Sequence, residues 1–267
     1  MEPLSGRTVL VTGGAHRVGG AVSRHLGELG ARVVVAYHDS ADAAEALAGS
    51  LAAGGTALRA DLAAADGPER LLAACEDAGA LPDAVVHAAA SFLNRRALDT
   101  TAAEWDRVFA LNTRAFLLLA QAFARRHGVV APAPSEGATV GEARPRDLAL
   151  IAISDSGALE LWTDYAVHCV SKAALLPLVQ VLAKSLGPAV RVNAVLPGPV
   201  LPPEDFPAAR VATVGEHTLL KRGGEPRDVA TAVAFLLTNR FTTGTLLEVT
   251  GGAHLWRATL DRAQGPG

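Results

Sequence analysis

The sequence predicts an α/β fold built on one doubly wound parallel sheet of seven strands. Short β-branched apolar runs alternate with longer Ala/Leu-rich segments along the chain. These runs are apolar at nearly every position, as parallel strands covered on both faces are. A glycine-rich turn, Thr12 to Gly20, joins the first run directly to the first helical segment.

The elements follow in order. A strand at Thr8–Val11 leads through the turn to a helix at Val18–Leu29. A strand at Arg32–Ala36 precedes a helix at Ala41–Ala52, and a third at Thr56–Ala60 precedes Pro68–Ala78. Pro68 suits a first helical turn, where its missing N–H would have no acceptor. The fourth strand, Ala84–His87, is followed by a long helix, Ala102–Arg126. The fifth, Leu148–Ile153, is followed by Tyr165–Leu186, in which Pro177 predicts a bend or a lost hydrogen bond. Strands at Arg191–Val195 and Thr245–Val249 flank a helix at Pro226–Leu237, again opened by proline. Two segments break the rhythm: Gly128–Arg146, an excursion, and the proline-rich Pro197–Gly215, which reads as a lid. Ligands bind such sheets outside the carboxyl ends of the strands.

A chain of 267 residues is ordinary for a single α/β domain, read here over residues 1–267. A formal net charge of -3 provides no basic face for nucleic acid. Cys75 and Cys169 make neither a disulfide framework nor a metal site, so a cytoplasmic setting is expected. No signal peptide is visible, and no apolar stretch is expected to reach membrane-spanning length.

The glycine-rich turn carries the first chemistry. Glycines let backbone approach a pyrophosphate, and a helix N-terminus offers N–H groups without intrahelical acceptors. Gly13, His16, Arg17, Val18 and Gly19 are its candidate residues, with Arg17 able to grip phosphate by two parallel bonds. At the end of the second strand stands Tyr37. A carboxylate there would bind the ribose of NAD and repel a 2′-phosphate. Tyr37 removes that repulsion, and His38, Ser40 and Arg17 are donors. NADP(H) is therefore favoured over NAD(H), although Asp39 opposes this if it points inward.

Thr-Gly-x-x-x-Arg-x-Gly (Thr12 to Gly19) followed by Tyr-His-x-Ser (Tyr37 to Ser40) resembles the short-chain dehydrogenase/reductase family, and within it the pteridine reductase branch. The resemblance covers almost the whole chain and implies a Rossmann fold. It implies that Asp61-Leu62 brackets the adenine. Asn112, Asp155 and Lys172 match members of the catalytic set, and Asp155 lies 13 residues before His168. Arg191 to Gly198 matches the segment that touches the nicotinamide, with Pro197, Gly198 and Val200 as cofactor contacts. Phe92 stands where the branch stacks an aromatic on the pterin. Arg17, Asp155 and Tyr165 complete the implied substrate face.

The departures bear on chemistry. The family's Asn-Asn-Ala-Gly after the fourth strand reads His87-Ala88-Ala89-Ala90, which predicts lost strand anchoring and leaves Ala88 and Ala89 against the cofactor. The tyrosine four residues before the lysine is His168. Tyr165 lies seven residues before Lys172 and borders the site without replacing that phenol. An imidazole delivers a proton only in its charged form. A neighbouring Asp155 would favour that form and Lys172 oppose it.

These residues predict a reductase of a pteridine-like or other conjugated C=N/C=O substrate, with Asp155 and His168 as an acid pair and Lys172 anchoring the ribose. The alternatives are a ketoreductase of secondary metabolism and a degenerate member acting as a non-redox catalyst or scaffold. Cys169 is expected to be a packing residue and His217 a surface one. The resemblance implies a homotetramer or dimer, built on apolar helix faces at Phe116, Leu117, Leu119, Leu175, Leu178 and Leu182.

Overall fold

The structure is a computed structural model that describes residues 4–129, 147–201 and 214–255. Most of Gly128–Arg146 and of Pro197–Gly215 lies outside the described residues. Seven strands, β1 (Thr8–Thr12), β2 (Arg32–Tyr37), β3 (Gly55–Arg59), β4 (Ala84–His87), β5 (Leu148–Ile153), β6 (Val190–Pro197) and β7 (Leu246–Val249), form one sheet. Its order is β3-β2-β1-β4-β5-β6-β7, and every pair is parallel. The chain winds outward from β1 to β3, returns, and winds the other way from β4. The switch point therefore falls between β1 and β4, where a crevice opens at their carboxyl ends.

Strand alternation divides the core into two layers. Leu10, Val34, Val85 and Leu150 face one side, under α3 (Gly67–Asp77), α5 (Ala115–Arg126) and α7 (Ala166–Leu186). Val9, Val11, Val33, Val35 and Ile151 face the other, under α1 (Arg17–Glu28), α2 (Ala41–Ser50) and α8 (Pro226–Thr238). At the amino end of the sheet, Asp147 accepts from Arg7 at 3.3 Å and Arg191 at 3.0 Å. Arg191 also donates to the Leu236 and Leu237 carbonyls at 2.6 and 3.1 Å, satisfying acceptors at the carboxyl end of α8.

Several expectations are corrected. The helix expected over Ala102–Arg126 is α4 (Ala102–Phe109), a π-turn (Ala110–Arg114) and α5. Thr101 and Glu104 start it with a reciprocal capping box. The four-residue α6 (Gly157–Glu160) is too short to leave a periodic signal. α7 runs through Pro177 as one 21-residue helix. It is long and apolar enough to cross a membrane, contrary to expectation, but Val167, Leu175, Val179 and Leu182 are buried inside the fold. Phe116, Leu119, Leu175 and Leu182, assigned above to an interface between chains, also fill this chain's own core. Leu117 and Leu178 pack partly buried against it.

Candidate active site

A cleft of about 810 Å³ crosses the carboxyl end of the sheet at the switch point. One half is built from the glycine-rich turn. Gly13 has φ +61°, and a Cβ there would lie 2.8 Å from the Ala89 Cα, so β1 and β4 approach too closely for any side chain. A Cβ on Gly19 would overlap the Gly13 carbonyl. His16, Arg17, Val18 and Gly19 border the cleft, and the last three form the first turn of α1. Arg17 has φ +49°, the left-handed region where the family's glycine would sit without strain. Its guanidinium reaches the Leu201 carbonyl at 3.3 Å, and both residues line the cleft.

Tyr37 and His38 border the cleft, as do Asp61 and Leu62. Asp39 does not: its carboxylate pairs with His38 Nδ1 at 2.8 Å and is 79% exposed. Ser40, expected as a cofactor donor, also lies outside the cleft lining, at the start of α2. Asp61 turns one oxygen back onto the Ala63 N–H at 2.9 Å, which fixes the bend after β3. Ala88, Ala89, Pro197, Gly198 and Val200 all border the cleft. Arg191 does not, because β6 is eight residues long and Arg191 lies at its far end.

His87 overturns the expected loss of anchoring. Its Nδ1 meets the Thr12 hydroxyl at 2.9 Å and its Nε2 meets the Leu111 carbonyl at 3.1 Å. The carbonyl can only accept, so Nε2 carries the hydrogen and Nδ1 accepts from Thr12. Thr12 Oγ1 then accepts from the Ala89 N–H at 3.2 Å. One imidazole thus joins β1, β4 and the π-turn. Complete burial, with Lys172 nearby, pushes its pKa down to about 3, so the folded ring stays neutral.

The other half of the cleft is lined by the titratable groups Asp155, His168 and Lys172. His168 Nε2 lies 3.7 Å from Asp155 Oδ2, while Asp155 Oδ1 accepts from the Gly157 N–H at 2.7 Å and starts α6. Asp155 is therefore both a helix-start carboxylate and a wall of the site. His168 and Phe92 pack edge-to-face with centroids 4.4 Å apart, and Tyr165 lies 4.5 Å from Phe92. Phe92 is 44% exposed and borders the cleft, so it is not a core aromatic.

Lys172 is almost fully buried and donates to the Ile153 carbonyl at 2.6 Å. Burial lowers its pKa to about 8, against a smaller opposing pull from Asp155. Asn112 does not border the cleft. It bonds the backbone of Ser91 at 2.7 and 3.1 Å and the Ser171 hydroxyl at 2.9 Å. Cys169 is buried, and burial pushes its thiol up to about 11, consistent with packing rather than nucleophilic chemistry. His217 is exposed and outside the cleft.

Sequence reasoning missed Ser91, Asn94, Arg107, Leu111 and Ser154, which also line the cleft. Ser91, Asn94 and Ser154 were within reach of a simple signal, because they follow the carboxyl ends of β4 and β5. Arg107 and Leu111 lie one helical turn apart, and only the packing of α4 and the π-turn reveals which face they present.

Comparison with known proteins agrees with this architecture. A family model described as enoyl-(acyl carrier protein) reductase matches residues 13–254. The chain is 30% identical to NADPH-dependent aldehyde reductase 2, chloroplastic, of Arabidopsis thaliana, across 94% of this chain and 95% of that one. It is also 30% identical to versicolorin reductase 1 of Aspergillus parasiticus, across 94% and 97%. Among solved structures it resembles FolM alternative dihydrofolate reductase 1 from Brucella canis, complexed with NADP, at 28% identity and a TM-score of 0.79, covering 95% of this chain and 96% of that one. The chain belongs to the short-chain dehydrogenase/reductase family and is one of its oxidoreductases.

Proposed function

We propose that the protein is an NADPH-dependent reductase of a flat, conjugated C=N or C=O substrate of pteridine-like shape, with His168 standing where the family carries its tyrosine. The observation that carries this reading is the placement of His168 Nε2 beside the Asp155 carboxylate, in a cleft flanked by Phe92 and Tyr165. The residues present fit the dinucleotide. The first turn of α1 offers N–H groups that have no intrahelical acceptor. Tyr37 carries no charge to repel a 2′-phosphate, and Asp39 turns away to His38. The solved Brucella relative is an NADP complex and the Arabidopsis relative is NADPH-dependent, which favours NADP(H) over NAD(H).

NADPH, when bound, supplies two electrons and one hydrogen to the substrate carbon. The chain's own residues supply the rest. Phe92 and Tyr165 offer faces for a planar ring. Lys172 is held against the Ile153 carbonyl at the floor of the cleft, placed to anchor the ribose. His168 delivers the proton from Nε2 to the substrate nitrogen or oxygen, with the Asp155 carboxylate 3.7 Å from that atom.

NADPH oxidation followed against a dihydropterin, a quinone, an aldehyde and a β-keto ester tests the reading. Turnover of the dihydropterin supports it. Preference for the keto ester would instead favour a ketoreductase, a reading that the likeness to versicolorin reductase supports. His168→Phe is expected to abolish turnover while leaving NADP(H) affinity nearly unchanged, and undiminished turnover would remove His168 from the mechanism.

A further inference from the structure

His168 sits in a closed circuit of four residues. Its Nδ1 lies 3.2 Å from the Ser91 carbonyl. That carbonyl also accepts from Asn112 Nδ2 at 3.1 Å, while the Ser91 N–H donates to Asn112 Oδ1 at 2.7 Å. Asn112 Nδ2 donates again, to the Ser171 hydroxyl at 2.9 Å, and that hydroxyl donates to the His168 carbonyl at 2.8 Å. Asn112, Ser171 and His168 are all buried. Thr113 Oγ1 adds a bond to the Ser171 carbonyl at 2.8 Å, tying the π-turn to α7 a second time.

We propose that this circuit locks His168 as the Nδ1–H tautomer, which makes Nε2 the atom that exchanges protons with substrate. The inference rests on the reductase reading for its consequence, but not for its geometry. A carbonyl can only accept, so the hydrogen must be on Nδ1. Ser91 spends both lone pairs, one on Asn112 and one on His168, which leaves the ring little freedom to flip. Nε2 is then bare in the neutral ring, buried and without a hydrogen-bond partner among the described residues. Its nearest carboxylate, Asp155 Oδ2 at 3.7 Å, is too far for a hydrogen bond. Nε2 is thus the ring atom left open for exchange with substrate, and it lies on the Asp155 side of the cleft. Asn112 and Ser171 reach neither the ring nor the substrate, so they are positioning residues that act through Ser91 and the α7 backbone. A tyrosine at 168 has no second ring atom to secure, so this role arises only with the imidazole.

Nitrogen-15 NMR of histidine-labelled, NADP⁺-loaded protein tests this at a pH where the ring is neutral, with the His168 signal assigned by its loss in His168→Gln. The expected spectrum shows a protonated Nδ1 and a bare Nε2. Asn112→Leu breaks the clamp on Ser91, and Ser171→Ala cuts one arm if the former fails to fold. Both are expected to raise the Nε2–H population. Both should also lower kcat for 7,8-dihydrobiopterin by about tenfold, the worth of one hydrogen bond, with KM for NADPH nearly unchanged. An Nε2–H tautomer in the wild type, or one insensitive to both variants, overturns the proposal. If no dihydropterin is turned over, the pteridine-like reading falls while the tautomer measurement still decides the circuit.

Discussion

His87 makes this protein sensitive to acid in a way that can be isolated. Complete burial lowers its folded pKa to about 3, from the ordinary 6.5 of an imidazole. Between those values the unfolded chain binds a proton that the folded chain does not. Stability therefore rises with pH across this window, and the His87 contribution is lost progressively as pH falls from 6.5 toward 3. At about pH 5 the unfolded state gains roughly 2 kcal/mol from this one group, and near pH 3 approaching 5 kcal/mol, taking about 1.4 kcal/mol per unit. The perturbation is His87→Asn, which places at this position the amide that the family carries there. Urea unfolding of both proteins at about pH 7.5 and about pH 5 yields four midpoints. The other histidines are common to both proteins and cancel. The expected result is that the wild type loses about 2 kcal/mol more than the variant on acidification. A stability difference that stays constant with pH would refute the reasoning, because it would mean that the buried ring takes up its proton without unfolding.

Lys172→Met is expected to stabilise the protein at neutral pH. The ammonium is held at about 8 against the ordinary 10.5, a penalty of about 3 kcal/mol that is fully present below pH 8 and relieved as pH rises from 8 to 10.5. The lost bond to the Ile153 carbonyl offsets about 1 kcal/mol of the gain, and denaturation at neutral and strongly alkaline pH checks the trend. Tyr37→Asp is expected to reverse the cofactor preference by tenfold or more, as judged from kcat/KM for NADPH and NADH, because a carboxylate there repels a 2′-phosphate and binds a ribose hydroxyl. Cys75 and Cys169, raised to about 12 and about 11 by burial, should resist a thiol reagent at mildly alkaline pH until the protein is unfolded. Rapid labelling of the native protein would contradict their burial.

Much of the cleft was legible in the chain because it depends on local spacing. The glycine-rich turn, Tyr37, Asp61, Phe92, Asp155, His168 and Lys172 all follow strands or share a helix face, and all border the cleft. Ser40 and Arg191 do not line the cleft, for a geometric reason. One sits at the start of the next helix, and the other lies a full strand length from the crevice. The helix over Ala102–Arg126 was placed correctly, but its π-turn was invisible because a single widened turn barely alters an apolar period.

The sequence by itself determined the winding of the sheet, the position of the glycine-rich turn and the identity of the titratable groups along the cleft. These follow from periodicities of two and 3.6 and from residues close together in the chain. Only the tertiary structure decided what His87, Asn112 and Asp39 do. Each depends on partners brought together by folding or on the direction its side chain takes: Thr12 and Leu111 for His87, Ser91 and Ser171 for Asn112, and an outward turn to His38 for Asp39. A buried polar group takes its role from the hydrogen bonds that remain once water is excluded, and which bonds remain is settled by packing between elements distant in the sequence.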